Sequence, residues 1–318
     1  MKITVSSCAF RHETDIPVEN VDSLRLDALA NICISRAIDA LKQPSSKYTE
    51  KDRFHITAMF TGMRMTHKAI RVLIEKLDPP EAIDALVLAR VQLEALYAIC
   101  LMLEDPRYVT IYLQGGWRKT YVQLLLQNEE CRSLPRFAEF AQRSKQWLQM
   151  LADDCGITQE QQLTVDLEEL GTPLPAGVSK RPIEQFPIPG KLIDKIAPGD
   201  KQKMLVRLYP EYQHLSSFAH GLPEASRLRG MFDKRSGYPE WLTFGRTNEN
   251  FNKLVIGPAF SMSYLSIIQS AAELTTLYPA DMDLLQGVVQ AWDFPSKDSL
   301  VGKAVWGIRT RRLLGVIG

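Results

Sequence analysis

Residues 83–103 read IDALVLARVQLEALYAICLML, and this stretch decides the fold. Its apolar residues fall on every side of a helix rather than along one stripe, so other elements must cover it all round, as at the centre of a bundle. Asp84, Arg90, Gln92 and Glu94 interrupt the run and argue against a membrane span. The segment from about residue 82 to residue 104 is therefore expected to be the central buried helix of an all-α, multi-helix bundle.

Working outward, LDPPE (77–81) supplies Asp78 as an N-cap and a proline at the first helical position. EDPR (104–107) repeats the device, with Pro106 opening a helix that runs to about Glu130. Val21–Gln43 and Lys51–Leu77 are amphipathic. The second puts Arg64, His67, Lys68, Arg71 and Glu75 on one side, which predicts an exposed His67, and leaves His55 on the apolar side as a core histidine. Leu134–Asp154 is amphipathic too and stops at Cys155-Gly156.

Then the composition changes. TPLPAGVSKRPIEQFPIPG (172–190) carries five prolines and can be neither helix nor central strand. It is expected to be a long loop, and 171–190 a subdomain boundary within what is otherwise one large helical domain over residues 1–318. Beyond it the pattern predicts short helices near Lys191–Ile196 and Lys201–Tyr209, a new helix opened by Pro210, and an irregular stretch over Met231–Asn250. Helical pattern resumes over Phe251–Leu277, Met282–Trp292 and from Leu300 on.

The totals narrow the classes. With 45% apolar and 24% charged residues the chain resembles an ordinary soluble globular protein, and its net charge of +1 provides no global field for nucleic acid or anionic lipid. The five cysteines are scattered without a C-x-x-C pair, which fits buried thiols in a reducing compartment. MKITVSSCAFRHETD (1–15) lacks the apolar stretch of a signal peptide, so a cytoplasmic location away from membranes is expected. No H-E-x-x-H, P-loop, G-x-G-x-x-G or G-x-S-x-G motif occurs, and neither a metal nor a cofactor is expected.

The chemistry-bearing residues lie in two places. Arg90, Glu94 and Tyr97 share one narrow stripe of the central helix, since each residue advances about 100° round the axis. Two readings follow: an internal ion pair that fixes helix register, or a polar pocket in which the charges serve binding or chemistry. The second place is RLYPEYQHLSSFAHGL (207–222), where Tyr212, Ser216 and His220 are spaced four apart. Gly221-Leu222-Pro223 ends that helix and leaves His220 at its C-terminal end, where the carbonyls favour an imidazolium. His220 then either faces a crevice or caps its own carbonyls. Arg227 and Arg229, with Lys234, Arg235 and Arg246, form a basic rim after it that suits phosphate. The interspersed Glu224, Asp233 and Glu240 suit a merely solvated face.

Taken together, A-R-x-x-x-E (Ala89, Arg90, Glu94) on the apolar helix and Y-x-x-x-S-x-x-x-H-G (Tyr212, Ser216, His220, Gly221) resemble an uncharacterised family of bacterial helical proteins. That family is loosely connected with the HEPN superfamily, which includes metal-independent ribonucleases of toxin and antiviral-defence systems. The resemblance implies a helical bundle, often dimeric, in which Arg90, Glu94 and His220 converge. The HEPN signature of an arginine followed by a histidine, with four to six residues between them, is met by Arg207 and His214, with six between. Pro210 is read as a break between them, and in an unbroken helix His214 would point about 120° away from His220, so the site is assigned to His220. In such a ribonuclease His220 would move the proton of a ribose hydroxyl or leaving oxygen and Arg90 would stabilise the phosphate. Glu94 would orient one of them, Tyr212 would donate a hydrogen bond, and Ser216, Tyr97, Arg227 and Arg229 would bind. The partners so expected are RNA or a small anionic ligand, and a second copy or a partner protein. The alternatives are a non-enzymatic interaction or regulatory module, and a sensor of a small anion.

Overall fold

The computed structural model describes residues 21–76, 82–131, 134, 137–171, 173, 175–177, 179–220 and 252–293. Among these it contains no strand and is all-α. The helices are α1 (Val21–Lys42), α2 (Glu50–Lys76), α3 (Asp84–Glu104), α4 (Arg107–Cys131), α5 (Ala138–Cys155) and α6 (Gln159–Leu170). They continue with α7 (Pro189–Ile193), α8 (Asp200–Ala219), α9 (Gly257–Thr275) and α10 (Met282–Asp293), and a π-helical turn, Asn252–Ile256, leads into α9. The expected N-cap at Asp78, the irregular stretch 231–250 and the helix from Leu300 lie outside the described residues.

The chain divides into two compact units, one formed by residues 1–104 and 189–318, the other by Asp105–Ile188. In the first, α3 packs most extensively on α9 and also on α2 and α8, while α1 and α10 lie against α9. The centre is thus a pair of helices. α3 is buried at 13 of its 21 positions, including every one from Leu96 to Leu103, and leaves Val91 exposed on one side, while α9 is buried at every position from Ala259 to Leu274. Four of the buried α9 residues are serines (Ser261, Ser263, Ser266, Ser270), small enough to let a neighbouring helix approach closely. Ser266 returns its hydroxyl to the Met262 carbonyl at 2.7 Å, which removes the cost of burying it. Asp84–Glu104 and Leu254–Thr275 are each long and apolar enough to cross a membrane, but most of each is buried inside the protein.

At the C-terminal end of α3 the carbonyls left free by the helix are met by one cation and one phenol. Lys47 Nζ donates to the Leu103 and Glu104 carbonyls at 2.7 and 2.9 Å, and Tyr48 Oη donates to Leu103 at 2.7 Å.

The second unit packs α4, α5 and α6 round Trp117, Tyr121, Leu148 and Val165. Trp117 stacks on Tyr121 with centroids 4.7 Å apart and donates Nε1–H to the Leu148 carbonyl at 2.9 Å. α5 ends as expected, with Gly156 in the left-handed region at φ 66°. α6 was not anticipated by the apolar pattern; it begins at a capping box in which Thr158 and Gln161 serve each other's backbone N–H. Where described, the proline-rich stretch is irregular, with a turn at Ala176-Gly177, until α7 begins at Pro189. Ile183 is buried in this core, Phe186 meets Tyr108 and Tyr112 edge to face, and the Arg181 N–H donates to buried Thr164 Oγ1 at 2.9 Å.

Pro210 does not open a helix. It sits inside α8, which is continuous from Asp200 to Ala219. A mid-helix proline forfeits one hydrogen bond, here to the Val206 carbonyl. Val206 is on the exposed side, where water can serve that group, and buried Leu205, Leu208 and Leu215 hold the helix on both sides of the proline.

Candidate functional site

The site is built where α3 meets α8. Both helices belong to the first unit, and the four-residue spacing on each sets two short polar ladders face to face. Arg90 Nε donates to Ser216 Oγ at 3.0 Å. Its Nη2 donates to Glu94 Oε1 at 2.7 Å and to Tyr212 Oη at 3.2 Å. Tyr212 Oη in turn donates to the same Glu94 oxygen at 3.0 Å, and Ser216 Oγ donates to the Tyr212 carbonyl at 2.8 Å. The guanidinium carbon lies 5.4 Å from the centre of the Tyr212 ring, so charge and π-face also attract. The geometry brings Arg90, Glu94, Tyr212 and Ser216 into one quartet.

These charges are not deep in the bundle, as the apolar run suggested. Arg90 is 19% exposed and Glu94 36% exposed at the side chain, so the quartet lies at the rim of α3. The fully buried polar group of that helix is Gln92, on the other side.

Tyr97 is separate in function from the quartet. It is fully buried, and its hydroxyl donates to the Leu205 carbonyl at 2.7 Å. Burial pushes its phenol well above the ordinary value. Its ring lies edge to face beneath Tyr212 at 6.0 Å, and Tyr209 stacks on Tyr212 at the same separation. Tyr97 therefore supports the site from below and is not available to a ligand.

His220 is the C-cap residue of α8 and is exposed; its backbone N–H donates to the Ser216 carbonyl at 3.1 Å. Among the described residues no hydrogen bond or ion pair ties its ring to the quartet. Arg227 and Arg229 lie outside the described residues. Because α8 is unbroken at Pro210, Arg207 and His214, seven residues apart, fall within about 20° of each other on one helix face. Both are exposed. The proline therefore gives no reason to separate them, although that face remains turned away from His220.

His67 is a correction. It is 2% exposed, not solvated: Nδ1 lies 2.7 Å from Ser263 Oγ and Nε2 3.2 Å from Asp27 Oδ1. It sits about 60° from Arg64 round the helix, far enough to turn it from the charged side into the core. Gln92 Nε2 donates to the same Ser263 oxygen at 3.1 Å and to the Met63 carbonyl at 2.8 Å. Arg71 bridges Asp27 at 2.7 Å and Glu75. Burial alone would raise the Asp27 carboxyl, but the His67 bond and the charges of His67 and Arg71 outweigh it and hold the group below the usual carboxylate range. This network joins α1, α2, α3 and α9. With His67 and Ser263 buried it reads as core structure. His55 is half-buried, edge to face with Phe54, rather than in the core.

A second polar recess of about 460 Å³ lies at the start of α8, lined by Lys47, Glu104, Gly199 and Lys201 among others. Lys201 is drawn between Glu104 and Glu273, 3.0 Å from each, so its charge is already balanced. Among the described residues no group of three or more His, Cys, Asp or Glu is placed to hold a metal ion. Comparison with family models, with curated proteins and with solved structures finds no match to this chain.

Proposed function

We propose that the protein is a cytoplasmic, HEPN-like RNA-cleaving protein of a bacterial toxin or antiviral-defence system, working through side chains alone. The observation that supports this reading is the half-exposed quartet. Glu94, Tyr212 and Ser216 hold the Arg90 guanidinium in one orientation, and the exposed His220 follows Ser216 by one helical turn on the same helix. In this reading Arg90 supports the charge that builds on a phosphate, Glu94 and Tyr212 fix Arg90, and His220 moves the proton.

A second reading is favoured by one fact of the geometry. Three of the Arg90 bonds are already satisfied within the protein, as a clasp joining α3 to α8 in a non-enzymatic interaction module would require. Incubating total RNA with the wild type, His220→Ala and His214→Ala separates the readings. Cleavage lost with His220→Ala and kept with His214→Ala supports the proposed site. Loss with His214→Ala alone moves the chemistry to the Arg207 face, and equal cleavage by all three, or by none, rejects the role of His220.

A further inference from the structure

Helix α2 is apolar on two opposite faces. One face, from Ile56 to Ile74, is buried in the first unit. The other carries Phe54, Ala58, Thr61, Met65, Ala69 and Val72, which all fall within about 40° of Met65 round the axis. Phe54 is 67% exposed, Met65 64% and Val72 47%. Single exposed apolar side chains are ordinary. A line of them over about 27 Å of one helix, at 1.5 Å per residue, is not. The steps from 54 to 58, 61 and 65 are four, three and four, and the seven-residue step from 65 to 72 completes the spacing of a coiled-coil seam.

We propose that this face docks a second copy of the chain, with two α2 helices packing antiparallel about a two-fold axis at the level of residue 63. A closed two-fold pairing requires a patch that complements itself, and the sequence of the stripe does so. Phe54 meets Val72 of the second copy, and Thr61 meets Met65 of the second copy. Ala58 leaves room for the stem of Lys68 of the second copy, whose ammonium reaches solvent past the seam. At the ends the charges are complementary: Glu50, exposed in the first turn, opposes Lys76 of the second copy, exposed in the last. Symmetry makes every one of these contacts twice. One helix face covers less than the standard interface of about 800 Å² per partner, so the pairing is a weak one with dissociation in the micromolar range.

Sedimentation velocity on the full chain across a concentration series tests this. The expected result is a shift from 36.0 kDa toward twice that mass as concentration rises. Met65→Glu puts a carboxylate in the seam and weakens association by at least about tenfold. Because Met65 faces outward the variant should fold, which an unchanged far-ultraviolet circular dichroism spectrum checks. Lys76→Glu weakens the dimer, and Glu50→Lys combined with Lys76→Glu restores it, because the swapped charges again face each other. A chain that stays monomeric throughout overturns the proposal and leaves the face to a different protein. So does a dimer indifferent to Met65→Glu, and a double charge variant no better than Lys76→Glu alone overturns the antiparallel register.

Discussion

Replacing Arg90 by methionine keeps most of the apolar stem and removes the guanidinium. Three donated bonds go with it, to Glu94, Tyr212 and Ser216. None of the three partners is left stranded. Tyr212 Oη still donates to Glu94, and Ser216 Oγ still donates to the Tyr212 carbonyl. Two limits bracket the cost. An exposed ion pair four residues apart on a helix contributes about 0.3–0.5 kcal/mol, and breaking a fully buried pair costs about 3–5 kcal/mol. Arg90 at 19% and Glu94 at 36% exposure lie between, nearer the exposed limit once solvent screening of Glu94 is counted. The expected loss is about 1–2 kcal/mol, or a fall of about 2–4 °C in melting temperature. Urea unfolding and scanning calorimetry measure it. A loss beyond about 4 kcal/mol would show that Tyr212 cannot support the carboxylate unaided and that the pair is a buried structural element. A gain in stability would show that desolvation of the pair outweighs its bonds, and so that the charges are kept for something other than the fold.

Two further outcomes follow from the packing. A carboxylate held below its ordinary value of 3.8, as Asp27 is, contributes stability that is fully present above about pH 4 and disappears as pH falls through its folded value. Asp27→Asn should therefore be less stable than the wild type at pH 7, and the gap between their urea midpoints should narrow below pH 4; a gap that stays constant refutes the Asp27–His67–Arg71 linkage. A Cβ added at Gly190 would lie 2.8 Å from the Tyr209 hydroxyl, and the stacking of Tyr209 on Tyr212 leaves that ring little freedom to withdraw. Gly190→Ala should cost about 1–3 kcal/mol, and Tyr209→Phe in the same chain should recover most of it; no recovery would place the strain elsewhere.

Some of this was legible from residues alone. The central position of α3 follows from its apolar circumference, and the partnership of Arg90 with Glu94 from a spacing of four. The equal burial of α9 was not legible, because its serines, Gln269 and Glu273 dilute the apolar pattern. Some of those groups are tolerated inside through bonds a sequence does not display: Ser263 meets His67, Ser266 donates to its own helix and Gln269 donates to Glu273, while the Ser261 and Ser270 hydroxyls have no partner among the described residues. Pro210 shows a local rule losing to tertiary packing: the missing hydrogen bond falls on the exposed side of a helix held elsewhere by buried leucines. The start of α6 did carry a signal, threonine three residues before glutamine, and reading it depends on looking for caps where the apolar pattern is weak.

Helix α2 marks a deeper limit and ties the fold to the inferred partner. Its two apolar stripes have the same helical period, so periodicity identifies both and cannot say which one the chain covers for itself. The decision comes from the ionisable residue in or beside each stripe. The inner stripe contains His67, which has Asp27 and Ser263 waiting for it on neighbouring helices. At the edge of the outer stripe stands Lys68, which is exposed, and burying its ammonium unpaired would cost several kcal/mol. The chain therefore turns His67 inward, and Phe54, Met65 and Val72 are carried outward by the same rotation. Their exposure is a consequence of solving the core, and a second copy that lets Lys68 keep its head in water is a surface that can cover them without reversing that solution.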